Sequence, residues 1–498
     1  MLEAMILGAL NVFTLQGMFY VALGSSVGYL FGFLPGLTAS VALSLLIPLS
    51  YGMQPLYAII MMAGTLGGVC FGGSISAILI NTPGTGSSAA TSIDGYVMSQ
   101  QGRAGEALGA SSMSSFLGHL IGIGLLIAVI PGMTRLVLLF GPPEWFALGV
   151  GGLCLIATVS GGSLLNGIIA GAIGLLLSTH GINPIVGSPR YTFGSMWLWD
   201  GIPLISFIVG TLALAEMIRL LTEGKSISKS GKIDTGGVMK GIKETFKHLP
   251  LVSISGAIGV IIGAIPGVGG SVSTWVALSQ AKIMSKHPET FGKGNIEGVI
   301  APEAANDATQ GGALMPLLSL GIPGNPSLAV LLGAFIMHGI QPGQKLLTED
   351  LDIVFTLIFA HLFGAFIACT IGLYLAKYLS KVTILPSYIL VPIITMICLT
   401  GSFATRSRLS DVILTVIFAG VGYAMLKCNI PRVPMILGLI LGPLVERSYQ
   451  VSMQLSDGSL MIFLNRPYTI AFLLLIPLSL FLSIFLGKKR MSKTKSIG

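Results

Sequence analysis

Charge is what this 498-residue sequence has least of: only 9% of its residues are Asp, Glu, Lys or Arg, against about 25% in a soluble domain. Such a chain lacks the polar side chains to cover itself in water. Its 53% apolar content and mean hydropathy of +0.88 point the same way. Cysteine is scarce as well. Cys70, Cys154, Cys369, Cys398 and Cys428 lie scattered in apolar stretches, with no CxxC pair and an odd count, which excludes a disulfide framework. Buried, inert thiols are expected. The six histidines are dispersed without metal-ligand spacing. Neither H-E-x-x-H nor G-x-x-x-x-G-K-[ST] occurs, so no zinc hydrolase and no ATP-driven motor is indicated. Gly24-Ser25-Ser26-Val27-Gly28 satisfies G-x-S-x-G, but that motif needs a strand, a sharp turn and a helix. This copy lies inside a membrane-helix pattern.

Long apolar runs are abundant, among them Leu120 to Ile130, Leu153 to Leu177 and Ile470 to Leu486. A bilayer crossing needs roughly 20 mostly apolar residues, and membrane residence follows. Glycine supplies 67 of the 498 residues. In membrane helices it permits close contact and helix breaks, both needed where helices unwind around a cavity.

The net charge of +8 does not suggest a nucleic-acid partner, because it is concentrated in two short segments. Residues 222–249 carry Lys225, Lys229, Lys232, Lys240, Lys243 and Lys247, and the C-terminus carries Lys488, Lys489, Arg490, Lys493 and Lys495. Lys and Arg beside membrane spans mark the cytoplasmic side, so both segments are expected in the cytoplasm. The N-terminus, with Glu3 and no basic n-region, does not read as a cleaved signal.

The organisation is that of two halves. Residues 1–221 form a first membrane half, 222–249 a polar cytoplasmic linker, 250–486 a second membrane half and 487–498 a basic tail. Gly28, Gly32, Pro35, Gly36, Ser40 and Val41 match Gly259, Gly263, Pro266, Gly267, Ser271 and Val272 at an offset of 231. Gly72, Pro83, Gly84 and Ser87 match Gly312, Pro323, Gly324 and Ser327 at an offset of 240. The expected fold is an all-α polytopic membrane protein of two homologous repeats, inverted in preference to parallel, with a broken helix and a re-entrant hairpin in each. About ten to twelve transmembrane segments are expected. Internal repeats of this kind are typical of secondary transporters, whose substrate site lies at the repeat interface.

Three places carry candidate chemistry. The first is Asn81-Thr82-Pro83-Gly84-Thr85-Gly86-Ser87-Ser88 with its counterpart Ile322-Pro323-Gly324-Asn325-Pro326-Ser327. Each follows a short apolar run, Gly73 to Ile80 or Ala313 to Leu320, read as half a crossing. Pro-Gly breaks the helix, and freed backbone N–H groups with nearby hydroxyls and amides would bind an anion. The plainer reading is a polar turn between two spans.

The second place is Gly36, Thr38 and Ser40 with Gly267, Gly269 and Ser271. Freed carbonyls and hydroxyls there are hard oxygen donors suited to Na⁺; a kinked, closely packed helix is the alternative. The third is Glu303, Asn306 and Asp307, one helical turn apart in an otherwise small and apolar segment. A carboxylate at membrane depth pairs, binds a cation or shuttles protons, so these three are candidates for coupling to Na⁺ or H⁺. A wetted interfacial loop is the alternative. The first half has no acid at the equivalent place.

Gly72-Gly-Ser-Ile-Ser-Ala-Ile-Leu-Ile-Asn-Thr-Pro-Gly-Thr85, Asp94-Gly-Tyr96, Gly102-Arg-Ala-Gly105, Ala301-Pro-Glu-Ala-Ala-Asn306 and Leu320-Gly-Ile-Pro-Gly324 together make a specific set. In these the sequence resembles the large membrane subunit of the bacterial tripartite tricarboxylate transporters, over nearly its whole length. The resemblance implies a small membrane subunit and a periplasmic solute-binding protein as partners, and an organic di- or tricarboxylate as substrate. It also implies cation-coupled secondary uptake in the bacterial inner membrane; an elevator-like motion is an analogy of fold. The sequence departs from the family pattern at Gly86, Val97 and Asp307. Gly86 enlarges and polarises the first tip, and Asp307 adds a charge to the coupling segment. A passive anion channel is the alternative reading. An intramembrane enzyme finds no dyad or metal site.

Overall fold

The computed structural model describes residues 1–34, 37–159, 164–183, 187–223, 236–379, 387–474 and 477. It is helical throughout except for two antiparallel two-residue strands, β1 (Gly181–Ile182) and β2 (Pro189–Arg190). In chain order, α1 (Leu2–Val12) and α2 (Leu15–Phe33) meet at a 74° bend. Then come α3 (Ala39–Ser50), α4 (Pro55–Ile80), α5 (Ala89–Gln100) and the 34-residue α6 (Ala104–Val137). Next are α7 (Pro142–Val159), α8 (Leu164–Ser178), α9 (Leu204–Ile208) and α10 (Ala215–Glu223), the last two joined by a π-helical stretch. The second half holds α11 (Val238–Lys247) and α12 (Leu249–Gly263), at 80° to each other, then α13 (Gly269–Met284) and α14 (Glu297–Leu320). It continues through α15 (Pro326–Met337), α16 (Gln344–Thr348), α17 (Leu351–Leu379) and α18 (Ser387–Arg406). The last helices are α19 (Leu409–Lys427) and α20 (Arg432–Leu455). Among the described residues five helices are long and apolar enough to cross a membrane, or seven if each bent pair is one span.

The chain packs as two compact units. One comprises Met1–Thr134 with Glu216–Thr405, so it draws on both sequence halves, and the other comprises Arg135–Ala215 with Arg406–Gly498. In the first unit glycine spacing sets the packing. Gly24, Gly28 and Gly32 of α2 lie directly on the carbonyl oxygens of Met61, Thr65 and Val69 of α4. The four-residue step on both helices keeps one face of each in register along its length. Gly259 and Gly263 of α12 do the same against Ala305 and Thr309 of α14. Close backbone approach through small residues is the main means of helix association in lipid.

In the second unit α8 and α20 meet through Gly174 and Gly438. Bidentate pairing of Arg190 with Glu446, at 2.6 and 3.0 Å, holds β2 to α20, and Arg466 reaches Glu144 at 2.9 Å.

The structure revises several expectations. The apolar runs before the two Pro-Gly tips are not separate half-crossings: Gly73–Ile80 closes the 26-residue α4, and Ala313–Leu320 closes the 24-residue α14. The glycines upstream of each run stay helical because a facing helix packs against them. The polar segment 222–249 contains a helix, α11, pinned to α6 where Gly241 meets the Glu106 carbonyl and Lys240 reaches the Glu106 carboxylate at 3.0 Å. Its residues 224–235 lie outside the described residues, as do Pro35, Gly36 and the basic tail 487–498. Three cysteines are buried, but Cys154 is partly exposed and Cys428 exposed. Ser25 of the G-x-S-x-G match is buried in α2 and donates to the Gly364 carbonyl at 2.7 Å, which fixes it structurally.

Candidate solute and ion site

Both Pro-Gly tips begin where a long helix ends in a left-handed residue, Asn81 (φ 52°) after α4 and Gly321 (φ 65°) after α14. Asn81 is exposed and acts as the cap, its N–H reaching the Ser76 carbonyl. The chain then folds back on its own helix: the Gly84 N–H donates to Gly73 O at 3.3 Å, and the Ile322 N–H to Pro316 O at 3.2 Å. A Cβ at Gly84 would collide with the Gly32 carbonyl of α2, and one at Gly324 would stand 2.6 Å from Ala313 Cβ. Glycine is required at both places by space.

Past the first tip, the hydroxyls of Thr85, Ser87 and Ser88 cluster, with Thr85 Oγ1 at 3.1 Å from Ser87 and 2.9 Å from Ser88. The Thr82 hydroxyl turns away to the Ile80 carbonyl. Past the second tip, Asn325 caps α15 by accepting from the Leu328 N–H at 2.9 Å, and Pro326 takes the first helical position, where its missing N–H costs nothing. Pro83 is half-buried, and Ile322 and Pro323 are buried.

The tips and the breaks meet crosswise. Ser40, at the start of α3 in the first half, lies 3.4 Å from Ser327 of the second tip. Gly86 of the first tip faces the Ser271 hydroxyl, and Gly270 faces Ser87. The second break also touches its own tip, with the Gly267 N–H donating to Gly324 O at 3.0 Å. Gly267 and Gly269 take positive φ, 85° and 69°, which only glycine adopts freely. Thr38 is an exposed N-cap without a side-chain bond. Gly36 lies outside the described residues.

Glu303, Asn306 and Asp307 all project from the buried middle of α14. Glu303 accepts from three hydroxyls: Thr91 of α5, and Ser111 and Ser115 of α6, the last two at 3.0 Å each. Asp307 Oδ1 is 2.8 Å from His119 Nδ1 on α6. His119 Nε2 is in turn 2.8 Å from His361 Nε2 on α17, and His361 Nδ1 is 3.1 Å from the Ala63 carbonyl of α4.

Asn306 is different. It is 1% exposed, and neither its Nδ2 nor its Oδ1 has a hydrogen-bond partner. Its carboxamide lies beside Gly270, where a Cβ would come 3.2 Å from Asn306 Oδ1 and 3.2 Å from Ser87 Cβ. A buried, unsatisfied amide costs about 1–3 kcal/mol, so this one stands where a bound group would complete it. Among the described residues no three His, Cys, Asp or Glu side chains gather as a metal site.

The sequence pattern missed His119 and His361, which are 242 positions apart. Each is nonetheless an ionisable residue inside a long apolar helix, which by itself marks a functional position in a membrane protein. It also left Asp94 without a role beyond the family motif. Buried in α5, Asp94 accepts from the N–H groups of Gly292, Gly294 and Asn295 at 2.7–3.0 Å and holds the loop that leads into α14.

The fold and these features define a multi-pass helical membrane protein. A profile described as the tripartite tricarboxylate transporter TctA family matches residues 18–437. The chain belongs to that family, the large membrane subunit of tripartite tricarboxylate transporters, and is not an enzyme. Two Agrobacterium vitis proteins are similar to it. One, described as an uncharacterized 52.8 kDa protein in the TAR-I ttuC' 3'region, is 35% identical over 447 residues, 89% of this chain and 88% of its own. The other, an uncharacterized protein in the TAR-II ttuC' 3'region, is 32% identical over 209 residues, 42% of this chain and 86% of its own. No solved structure matches the chain. Family membership implies tricarboxylate transport with a periplasmic binding protein and a small membrane subunit.

Proposed function

We propose that this subunit imports a di- or tricarboxylate, delivered by the periplasmic binding protein, by cation-coupled alternating access in the bacterial inner membrane. The observation that carries the reading is the buried, unpartnered carboxamide of Asn306 between Gly270 and the first tip at Ser87. One carboxylate of the solute would take the Asn306 Nδ2 donor and the hydroxyls of Ser87, Ser88 and Ser271, and the second tip, Ile322 to Ser327, would close the other end. The backbone at Gly84, Thr85 and Gly86 would line the cavity from the first side. The crosswise contacts of tips and breaks support two inverted repeats with re-entrant tips, in a fold of ten to twelve segments. An elevator-like movement would carry both tips together.

The basic central segment and tail would lie in the cytoplasm by the positive-inside rule. The driving ion is a monovalent cation: the carbonyls at Gly267 and Gly269 with the Ser40 hydroxyl suit Na⁺, and the acids of α14 suit a proton.

The test is uptake of labelled citrate and succinate by liposomes holding the three-component system. Asn306→Ala and Gly270→Val should each lower the initial rate at least tenfold with insertion unchanged. Rates within twofold of the parent in both would overturn the site. Solute that only equilibrates in the parent, whatever the cation gradient, would establish a passive channel instead.

A further inference from the structure

The hydrogen-bonded series Asp307, His119, His361 and Ala63 has a fixed direction. Its far end is a carbonyl, which only accepts, so His361 Nδ1 must carry a proton. The two remaining contacts, at 2.8 Å each, link Asp307 Oδ1 to His119 Nδ1 and His119 Nε2 to His361 Nε2. Both can be hydrogen bonds at once in three arrangements. Asp307 is protonated with both imidazoles neutral, or Asp307 is ionised and either His119 or His361 carries both its ring protons. Each arrangement is electrically neutral and each contains the same number of protons.

Removing one proton leaves Asp307 ionised and both imidazoles neutral. Whichever tautomer His119 then takes, one 2.8 Å contact has two lone pairs and no hydrogen. That contact opens, parting α6 from α17 in one tautomer or from α14 in the other. We infer that Asp307, His119 and His361 form a binding site for a single proton, along which that proton can shift between helices α14, α6 and α17, and that this is the coupling proton of solute uptake.

The site is placed for that task. Asp307 follows Asn306 on the helix that leads to the second tip, and the series ends on α4, the helix that leads to the first. Occupancy by a proton therefore bears on both tip-bearing helices and on the residue facing the solute position.

The neighbouring ionisable groups are few. Glu303 stands one turn away on α14, Cys70 faces the cluster from α4 and Cys369 from α17. Tyr29 of α2 donates its hydroxyl to Gly372 O. Ser115 of α6 stands beside both carboxyl groups. Among the described residues no Lys or Arg pairs with Asp307 or Glu303.

This inference rests on the carrier reading above, and its test separates the two. The complete transporter is placed in Na⁺-free liposomes containing a trapped pH dye, with acid outside. Labelled citrate and succinate are followed alongside lumenal pH, and counterflow of the same solutes is measured at symmetric pH. The parent should acidify the lumen in step with uptake. Asp307→Asn and His361→Gln should lose acidification and gradient-driven accumulation at least tenfold while keeping counterflow within threefold. Counterflow in the parent with gradient-driven uptake that brings no acidification, or full acidification in both variants, overturns the proton site alone. No counterflow in the parent overturns the carrier reading, and this proposal with it. Should the variants fail to insert, infrared difference spectra of the parent on alkalinisation decide. They should show loss of one carboxylic C=O or imidazolium signal, and spectra flat in both regions contradict the site.

Discussion

Helices α4 and α14 each lead to a Pro-Gly tip, yet their middles differ in kind. At the offset that aligns Pro83-Gly84 with Pro323-Gly324, the positions of Glu303, Asn306 and Asp307 on α14 correspond to Ala63, Leu66 and Gly67 on α4. Ala63 offers only its carbonyl, to His361, and Gly67 lets α17 approach to backbone contact at His361 and Gly364. On α14 the same turns present two carboxyl groups to α5 and α6 and a carboxamide to Gly270 of α13. The close packing recurs on both helices and the polar chemistry is carried by one. The same distinction appears at the breaks, where Gly270 leaves room beside Asn306 and its counterpart at the offset of 231 is Ala39, a buried side chain.

If packing is the shared part, damage to it should be equal in both halves. Gly28→Leu would drive a side chain into the Thr65 carbonyl, and Gly263→Leu into that of Thr309. Each is expected to cost about 3 kcal/mol or more, the range of overpacking against an immovable backbone, read as a large fall in the melting temperature of the detergent-solubilised protein. A loss confined to one of them would break the comparison.

A middle-sized effect is expected at Asp94, a link found in one half only. Asp94→Ala strands three backbone N–H groups of the 292–295 loop and should cost about 1–3 kcal/mol. Hydrogen exchange at those amides should rise before exchange elsewhere; unchanged protection would contradict the role. The smallest effect is expected at Gly124, exposed on α6 with nothing within 4 Å of a new Cβ. Gly124→Ala should stay within about 0.5 kcal/mol of the parent, and a large loss there would mean that an unseen surface packs on it.

Proline and glycine made the breaks legible, because their backbone constraints are local and survive in any context. The helical spacing of Glu303, Asn306 and Asp307 was legible for the same reason, three and four positions being one turn. What local sequence did not reveal was partnership. His119 and His361 acquire meaning only when α6 and α17 are brought together on α14 and α4, and no spacing rule spans 242 residues. The full length of α4 and α14 was missed because their glycines, and Pro302 and Pro316 inside α14, read as weak helix when their packing partners are out of view. The crosswise meeting of Ser40 with Ser327 and of Gly86 with Ser271 is likewise a property of the assembled helices.

The central claim is that coupling belongs to the acids of α14, and the accumulation ratio tests it most directly. Labelled carboxylate inside and outside liposomes holding the complete transporter is measured with and without an imposed cation gradient, for the parent and for Asp307→Asn. The account predicts accumulation well above equilibrium in the parent and a fall to equilibrium in Asp307→Asn, with counterflow retained in both. An Asp307→Asn protein that accumulates solute with unchanged dependence on the cation gradient would contradict it.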